Sequence, residues 1–209
     1  MAFGSLYLAG HVRSAFPKQM KKYQRRAVLQ RRDALSAEKR AEDSRAVCER
    51  LLQLDAYRKA STVFLFRAFR SEPDLSAFAQ QAERDGKILL YPYCTDRTTM
   101  LAIRPGQDWE TDRFGISAPV MEKAQVWDPG DIDLILCPCV GFDTDGRRLG
   151  MGAGYYDRFL PLCPGAYRVL TAFEAQRLGR VYTEDCDSPM DAVVTEIRTS
   201  FCRRPAEDR

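Results

Sequence analysis

Five short apolar runs constrain this chain more than any other feature: STVFLF from Ser61, KILLYP from Lys87, DLILCP from Asp133, YRVLTAF from Tyr167 and DAVVTE from Asp191. Each has strand length and is rich in β-branched, aliphatic and aromatic residues, the composition of a strand buried in a sheet. Helical stretches separate several of them. Ser36 reads as an N-cap with Glu38 in the first turn, opening a helix that carries Val47, Leu51, Leu52 and Leu54 toward a core. A second runs from about Asp74 to Arg84 and stops at Gly86, and two more are expected at about 154–162 and 174–180. Strands alternating with helices predict an α/β domain of three layers, with a mainly parallel sheet flanked by helices. Residues 104–130, rich in Pro, Gly and Trp, read as a long loop. With no internal repeat or linker, the expected organisation is an N-terminal extension over 1–17, one catalytic α/β domain over 18–202 and a polar tail over 203–209.

Charge is distributed unevenly. Residues 1–50 hold 12 Lys/Arg against 5 Asp/Glu, whereas the remaining 159 hold 20 against 24. The surplus falls on a basic helix over residues 18–34, with Met20, Tyr23, Ala27 and Val28 expected on its apolar side. Such a helix suits an anionic partner, either nucleic acid or the phosphates of a small ligand, and charge alone does not choose. No apolar run approaches the roughly 20 residues that span a bilayer. Seven cysteines, an odd number without paired metal-ligand spacing, fit reduced thiols in a cytoplasmic protein better than disulfides or a zinc site. The one histidine, His11, lies in an unpromising N-terminal segment, which argues against histidine-dependent acid–base or triad catalysis.

The chemistry-bearing stretch is GFDTDGRRLGMGAGYYD, Gly141–Asp157. It follows the DLILCP strand, turns near Gly146, places Gly150, Gly152 and Gly154 at alternate positions, and runs into a helix. Glycines spaced this way let backbone N–H groups approach a ligand without Cβ interference, and a helix start adds unpaired donors. Arg147 and Arg148 are expected on the rim as counter-ions. The spacing is neither the dinucleotide fingerprint nor a Walker A loop. Tyr155 and Tyr156 suit stacking on a planar ligand, and Asp157 suits Mg²⁺ beside phosphate.

With these residues in view, the block resembles the signature of the 5-formyltetrahydrofolate cyclo-ligase family. Other segments agree in order and spacing: Lys21 and Arg25 ahead of LSAEKR, FRSEPD with Glu72, FGISAP at 114–119, AFEAQ at 172–176, and DSPMDAVVTE. The resemblance covers roughly residues 18–197. The chain departs from the family pattern at Met151 and Ala153, where many members carry Arg, Tyr, Lys or Gly. It departs also at Ala118 and Cys186, and at Arg67 in a usually apolar position of the folate site. The loop's positive charge is therefore expected from Arg147, Arg148 and the basic helix.

The resemblance implies ATP- and Mg²⁺-dependent cyclisation of 5-formyltetrahydrofolate to 5,10-methenyltetrahydrofolate with release of ADP and phosphate. It implies an ATP site of Lys21, Arg25, Arg148, Leu149, Gly150, Met151, Gly152, Ala153, Gly154, Tyr155 and Tyr156, with Arg148 and Tyr155 closest to the chemistry. A reduced-folate site would comprise Arg67, Glu72 and Met151 to Tyr155, and Asp157 and then Asp191 would be the metal ligands. Trp109 and Trp127 fit either a wall of the folate pocket or ordinary packing. Small-molecule partners, no membrane and a monomer are expected, with a dimer left open. The residues alone also fit a nucleic-acid-binding protein using the basic helix, or an altered family member acting on another folate.

Overall fold

The computed structural model describes residues 4–111, 115, 117–182 and 188–202, with side chains from residue 19 onward. Cys186, and Phe114 and Ile116 of the FGISAP segment, lie outside these described residues. Helix α1 spans Gly4–Asp33, so the helix expected from residue 18 begins much earlier. Helix α2, Ala37–Leu52, is capped by the Ser36 side chain, which accepts the Lys39 N–H, with Glu38 in the first turn. A short α3, Asp55–Lys59, leads into β1, Thr62–Phe64. Helix α4, Ser76–Arg84, is followed by β2, Ile88–Cys94. The expected loop at 104–130 is instead strand-bearing: β3 is Met100–Arg104, β4 Trp109–Thr111, β5 Ser117–Pro119 and β6 Gln125–Trp127. Then come β7, Leu134–Pro138, and the two-residue strands β8, Gly141–Phe142, and β9, Arg148–Leu149. Helix α5, Tyr155–Phe159, continues as a 3-10 turn at Leu160–Leu162, and β10, Tyr167–Thr171, β11, Ala192–Val194, and β12, Thr199–Phe201, follow.

Eight strands form one sheet in the order β12-β11-β10-β7-β1-β2-β3-β6. The five central strands are mutually parallel, and β12, β3 and β6 add antiparallel edges. Alternation along the central strands divides the core between the two faces, as period-two geometry requires. Val63, Leu134, Leu136 and Val169 pack with Val47, Leu51 and Phe78 on one face. Phe64, Ile135, Cys137 and Leu170 pack with Phe159 and Leu160 on the other. This is the mixed α/β architecture that the alternating runs predict.

Two local expectations are corrected. The helix expected at 174–180 is a single 3-10 turn, Glu174–Gln176. After it, the Leu178 N–H bonds the Phe142 carbonyl at 2.7 Å, so the chain extends beside β8 instead of coiling. On α1, Tyr23 is 70% exposed, whereas Lys21, Gln24, Val28 and Arg32 are buried. The face turned inward is largely polar because a backbone carbonyl meets it: Gln24 donates to Arg180 O at 2.5 Å. Among the described residues no helix is long and apolar enough to cross a membrane.

Strand order locates the site. From β1 the chain steps to β2 on one side, while β7 leads to β10 and β11 on the other. The reversal falls between β1 and β7, and in open α/β sheets ligands bind beyond the carboxyl ends of the strands at such a switch point. The segment after β1 carries Arg67 and Glu72, and the segment after β7 carries the glycine loop.

Candidate active site

The glycine loop is shaped by a hairpin and two left-handed glycines. Strands β8 and β9 pair Gly141 with Leu149 and Phe142 with Arg148. Adjacent residues of β9 point to opposite faces. Arg147, immediately before β9, pairs with Asp145 at 2.6 Å and Asp143 at 3.3 Å. Arg148 turns inward, and its side chain is only 7% exposed. The expectation that both arginines sit on the rim is corrected on this point. Gly152 has φ +104° and Gly154 φ +72°, conformations L side chains rarely adopt, which lets the loop bend tightly before α5.

Charge reaches this loop from α1. The Arg25 Nε donates to the Gly150 carbonyl at 2.8 Å, and its guanidinium lies against Gly152, where an added Cβ would stand 3.4 Å from Cζ. Lys21, one turn earlier on the same helix, is 8% exposed despite its charge. Arg25 thus brings one cation of the basic helix to the loop, and Met151 itself is 56% exposed.

Within the loop's curve, Arg148 Nη2 bonds Asp157 Oδ1 at 2.6 Å and its guanidinium lies 5.3 Å from the Tyr156 ring centre. The Arg148 Nε and the Tyr156 hydroxyl are both buried with no hydrogen-bond partner among the described residues. Buried polar atoms are nearly always satisfied, so two such atoms beside one loop direct attention to a polar ligand. Burial pushes the Tyr156 phenol well above its usual range, so it remains an O–H donor. Tyr155 is anchored differently: its hydroxyl donates to the Asp96 carbonyl at 2.7 Å, tying α5 to the loop after β2. Arg158 braces the same loop through the Thr98 carbonyl at 2.7 Å and stands 5.5 Å from the Tyr155 ring centre.

Across the switch point, the Glu72 Oε2 accepts the Phe69 N–H at 3.0 Å, while Oε1 lies 3.8 Å from Arg32 Nη1. Burial raises the Glu72 carboxyl above its ordinary value, opposed by the Phe69 amide and by Arg32. Arg67 lies flat on Trp109, 3.6 Å from the ring centre, and 5.8 Å from that of Tyr91. Arg67 and Glu72 line one cavity of about 620 Å³, with Arg70 and Tyr91 also on its wall. Trp127 is part-buried and packs on the core through β6. Arg32 is the residue that sequence reasoning passed over, although its position seven residues beyond Arg25 on one helix was a legible signal.

Among the described residues no three His, Cys, Asp or Glu side chains come together as a metal cage. Mg²⁺ does not require one, since it takes one or two carboxylates with phosphate oxygens and water. Asp157 fits that donor set: its side chain is 24% exposed, and Oδ2 accepts no hydrogen bond from a described residue. The Asp191 Oδ2 accepts the Arg168 N–H at 2.7 Å, in the register row of Ile135, three rows behind the Pro138–Thr171 row where β7 ends. Burial pushes the thiol of Cys137 up to about 12, and that of Cys139 further, so neither is a nucleophile at neutral pH.

The strand order reverses between β1 and β7, and a glycine loop, inward-turned cations and orphaned donors gather beyond their carboxyl ends, the arrangement of an α/β enzyme. Comparison with known proteins makes this particular. The profile of the 5-formyltetrahydrofolate cyclo-ligase family matches residues 17–196, and the chain belongs to that family. The 5-formyltetrahydrofolate cyclo-ligase of Escherichia coli K12 is 30% identical over 178 residues, covering 80% of this chain and 96% of the relative. That of Mus musculus is 28% identical over 188 residues, covering 82% and 91%. The structure of Aquifex aeolicus 5,10-methenyltetrahydrofolate synthetase superimposes with a TM-score of 0.78 at 30% identity, covering 90% of this chain and 95% of that one.

Proposed function

We propose that this enzyme converts 5-formyltetrahydrofolate to 5,10-methenyltetrahydrofolate, using ATP and releasing ADP and phosphate. The observation that carries the reading is the junction of Arg25 with the Gly150–Gly154 loop, within a chain of this family, at the sheet's switch point. The formyl oxygen attacks the γ-phosphorus, and the bond to the bridging oxygen breaks to release ADP. The N10 lone pair then attacks the formyl carbon, the carbon–oxygen bond breaks with phosphate leaving, and N10 loses its proton. Such transfer asks the protein mainly for in-line positioning and charge neutralisation.

Lys21, Arg25 and Arg148 supply positive charge, and the backbone of Leu149, Gly150, Met151, Gly152, Ala153 and Gly154, with the ring of Tyr156, borders the nucleotide. Tyr155, fixed through Asp96, stands where nucleotide and folate meet. Glu72 accepts hydrogen bonds from pterin donors, and Arg67, laid on Trp109, borders the cavity that takes the rest of the folate. Mg²⁺ would be held by Asp157 with phosphate oxygens and would neutralise phosphate charge. Asp191, whose Oδ2 accepts the Arg168 N–H, is the second carboxylate of this metal reading. Lys21, Arg25 and Arg32 turn toward the body, which favours a small anion over nucleic acid. Six free thiols among the described residues accord with a reducing, cytoplasmic compartment. Purified protein with Mg-ATP and 5-formyltetrahydrofolate should develop the methenyl chromophore; no product, or product without ATP, refutes the proposal.

A further inference from the structure

Arg32 is the most deeply buried cation among the described residues, at 2% exposure. Its Nε donates to the Ser71 hydroxyl at 2.9 Å, and that hydroxyl donates to the Asp33 carboxylate. Its Nη1 stands 3.8 Å from Glu72 Oε1 and has no hydrogen-bond partner among the described residues. The segment it supports is a tight turn closed by the Glu72 N–H on the Phe69 carbonyl at 3.2 Å. Arg70 inside that turn has φ +57°, the one non-glycine residue with positive φ among the described residues. A left-handed non-glycine residue persists only where its surroundings over-determine it. Here Ser71 and Glu72, its two successors, are both engaged by Arg32.

We propose that Arg32 is a positioning residue: from α1 it fixes the Phe69–Glu72 turn and presents the Glu72 carboxylate to the ligand. The same helix carries Arg25 to the glycine loop, so one rigid element sets the distance between the two halves of the site. This rests on the reading that Glu72 meets reduced folate. The groups around Glu72 are consistent with it. From α1 comes Arg32, from its own turn the Phe69 N–H, from the end of β7 the Cys139 thiol and from α5 the Tyr156 phenol. Thiol and phenol are held neutral by burial, and Arg148 stands beyond them. The cavity wall adds Arg40, Arg67, Arg70, Asp74 and Glu83 at its more open side. Removing Arg32 takes away the cation that opposes burial, so Glu72 holds its proton to higher pH.

The test compares wild type with Arg32→Gln, Arg32→Lys, Glu72→Gln and the Arg32→Gln/Glu72→Gln double variant, each checked for folding by thermal melting. Arg32→Gln should raise the folate KM about tenfold, the scale of one charge-assisted contact, with a smaller change in the ATP KM. The acid limb of kcat/KM for folate should move to higher pH by about half a unit or more. Arg32→Lys should leave that limb in place while raising KM, and it decides the matter if the glutamine variant does not fold. The double variant should lose no more than Glu72→Gln alone, because Arg32 acts through Glu72. Additive losses, an unmoved acid limb in Arg32→Gln, or a moved one in Arg32→Lys would overturn the assignment. Absence of wild-type turnover refutes the activity and the Glu72 role with it, whereas wild-type turnover with additive losses refutes only Arg32.

Discussion

Replacing Arg25 by Ala tests whether α1 supplies the charge that the glycine loop lacks. In the folded protein the residue makes one side-chain hydrogen bond to Gly150 O at 2.8 Å and leans on Gly152. The side chain is only part-buried, so water replaces most of that bond, and the stability loss should be about 1 kcal/mol. For a chain of this size that is about 2–4 °C in Tm. The effect on nucleotide binding should be larger, because a guanidinium contact to phosphate contributes about 1.5–3 kcal/mol. At about 1.4 kcal/mol per decade, the ATP KM should rise about 10- to 100-fold. Initial rates of methenyl formation against ATP at saturating folate measure this, with the folate KM as the internal reference. An ATP KM within twofold of wild type, in a variant that melts normally, refutes the claim that α1 serves the phosphates.

Gly152→Ala and Gly146→Ala form a matched pair. Gly152 has φ +104° and open space around an added Cβ apart from Arg25, so its alanine should impair ATP use with modest loss of Tm. At Gly146, φ +76°, the Cβ would lie 2.4 Å from the Cys202 Sγ, so that alanine should lower Tm and spare both KM values; kinetics and melting separate the two. Asp157→Asn keeps an acceptor for Arg148 but removes the charge offered to Mg²⁺, so turnover should fall most at limiting Mg²⁺; wild-type turnover there would contradict the metal assignment. The loop that anchors Tyr155 should be acid-sensitive. Backbone and side-chain hydrogen bonds from Thr98 and Thr99 depress the Asp96 carboxyl well below its usual range. Its contribution is therefore full above the unfolded value of about 3.9 and is lost as pH falls from there toward the depressed one. Amide protection at Thr98 and Thr99, followed from neutral to acidic pH, should be constant until that window and then decline.

The parallel centre of the sheet was readable because each of its strands is an apolar run buried on both faces. The antiparallel edges were not. Strands β6 and β12 are three residues each, with burial too partial to leave a pattern, and hydrogen bonding to neighbours alone defines them. The 174–180 segment carries helix-forming Glu, Ala and Gln, but Gln176 is fully buried and donates to Cys139 O at 2.7 Å, a tertiary contact that overrides local propensity. In the site, the glycine spacing and Asp157 could be read directly. The inward turn of Arg148 could not, because it depends on a two-residue hairpin, β8–β9, whose register no apolar run announces. Arg32 escaped notice for a related reason: in a helix so rich in Lys and Arg, only the packing shows which cations are buried.

If the formyl oxygen attacks the γ-phosphorus, that oxygen must leave in the released phosphate. 5-Formyltetrahydrofolate carrying heavy oxygen in the formyl group should be turned over with ATP in ordinary water, and the released phosphate analysed by mass. Each phosphate formed should carry one heavy oxygen, matched one to one with methenyl product and ADP. Phosphate without the label, with the heavy oxygen released to water, would contradict that attack.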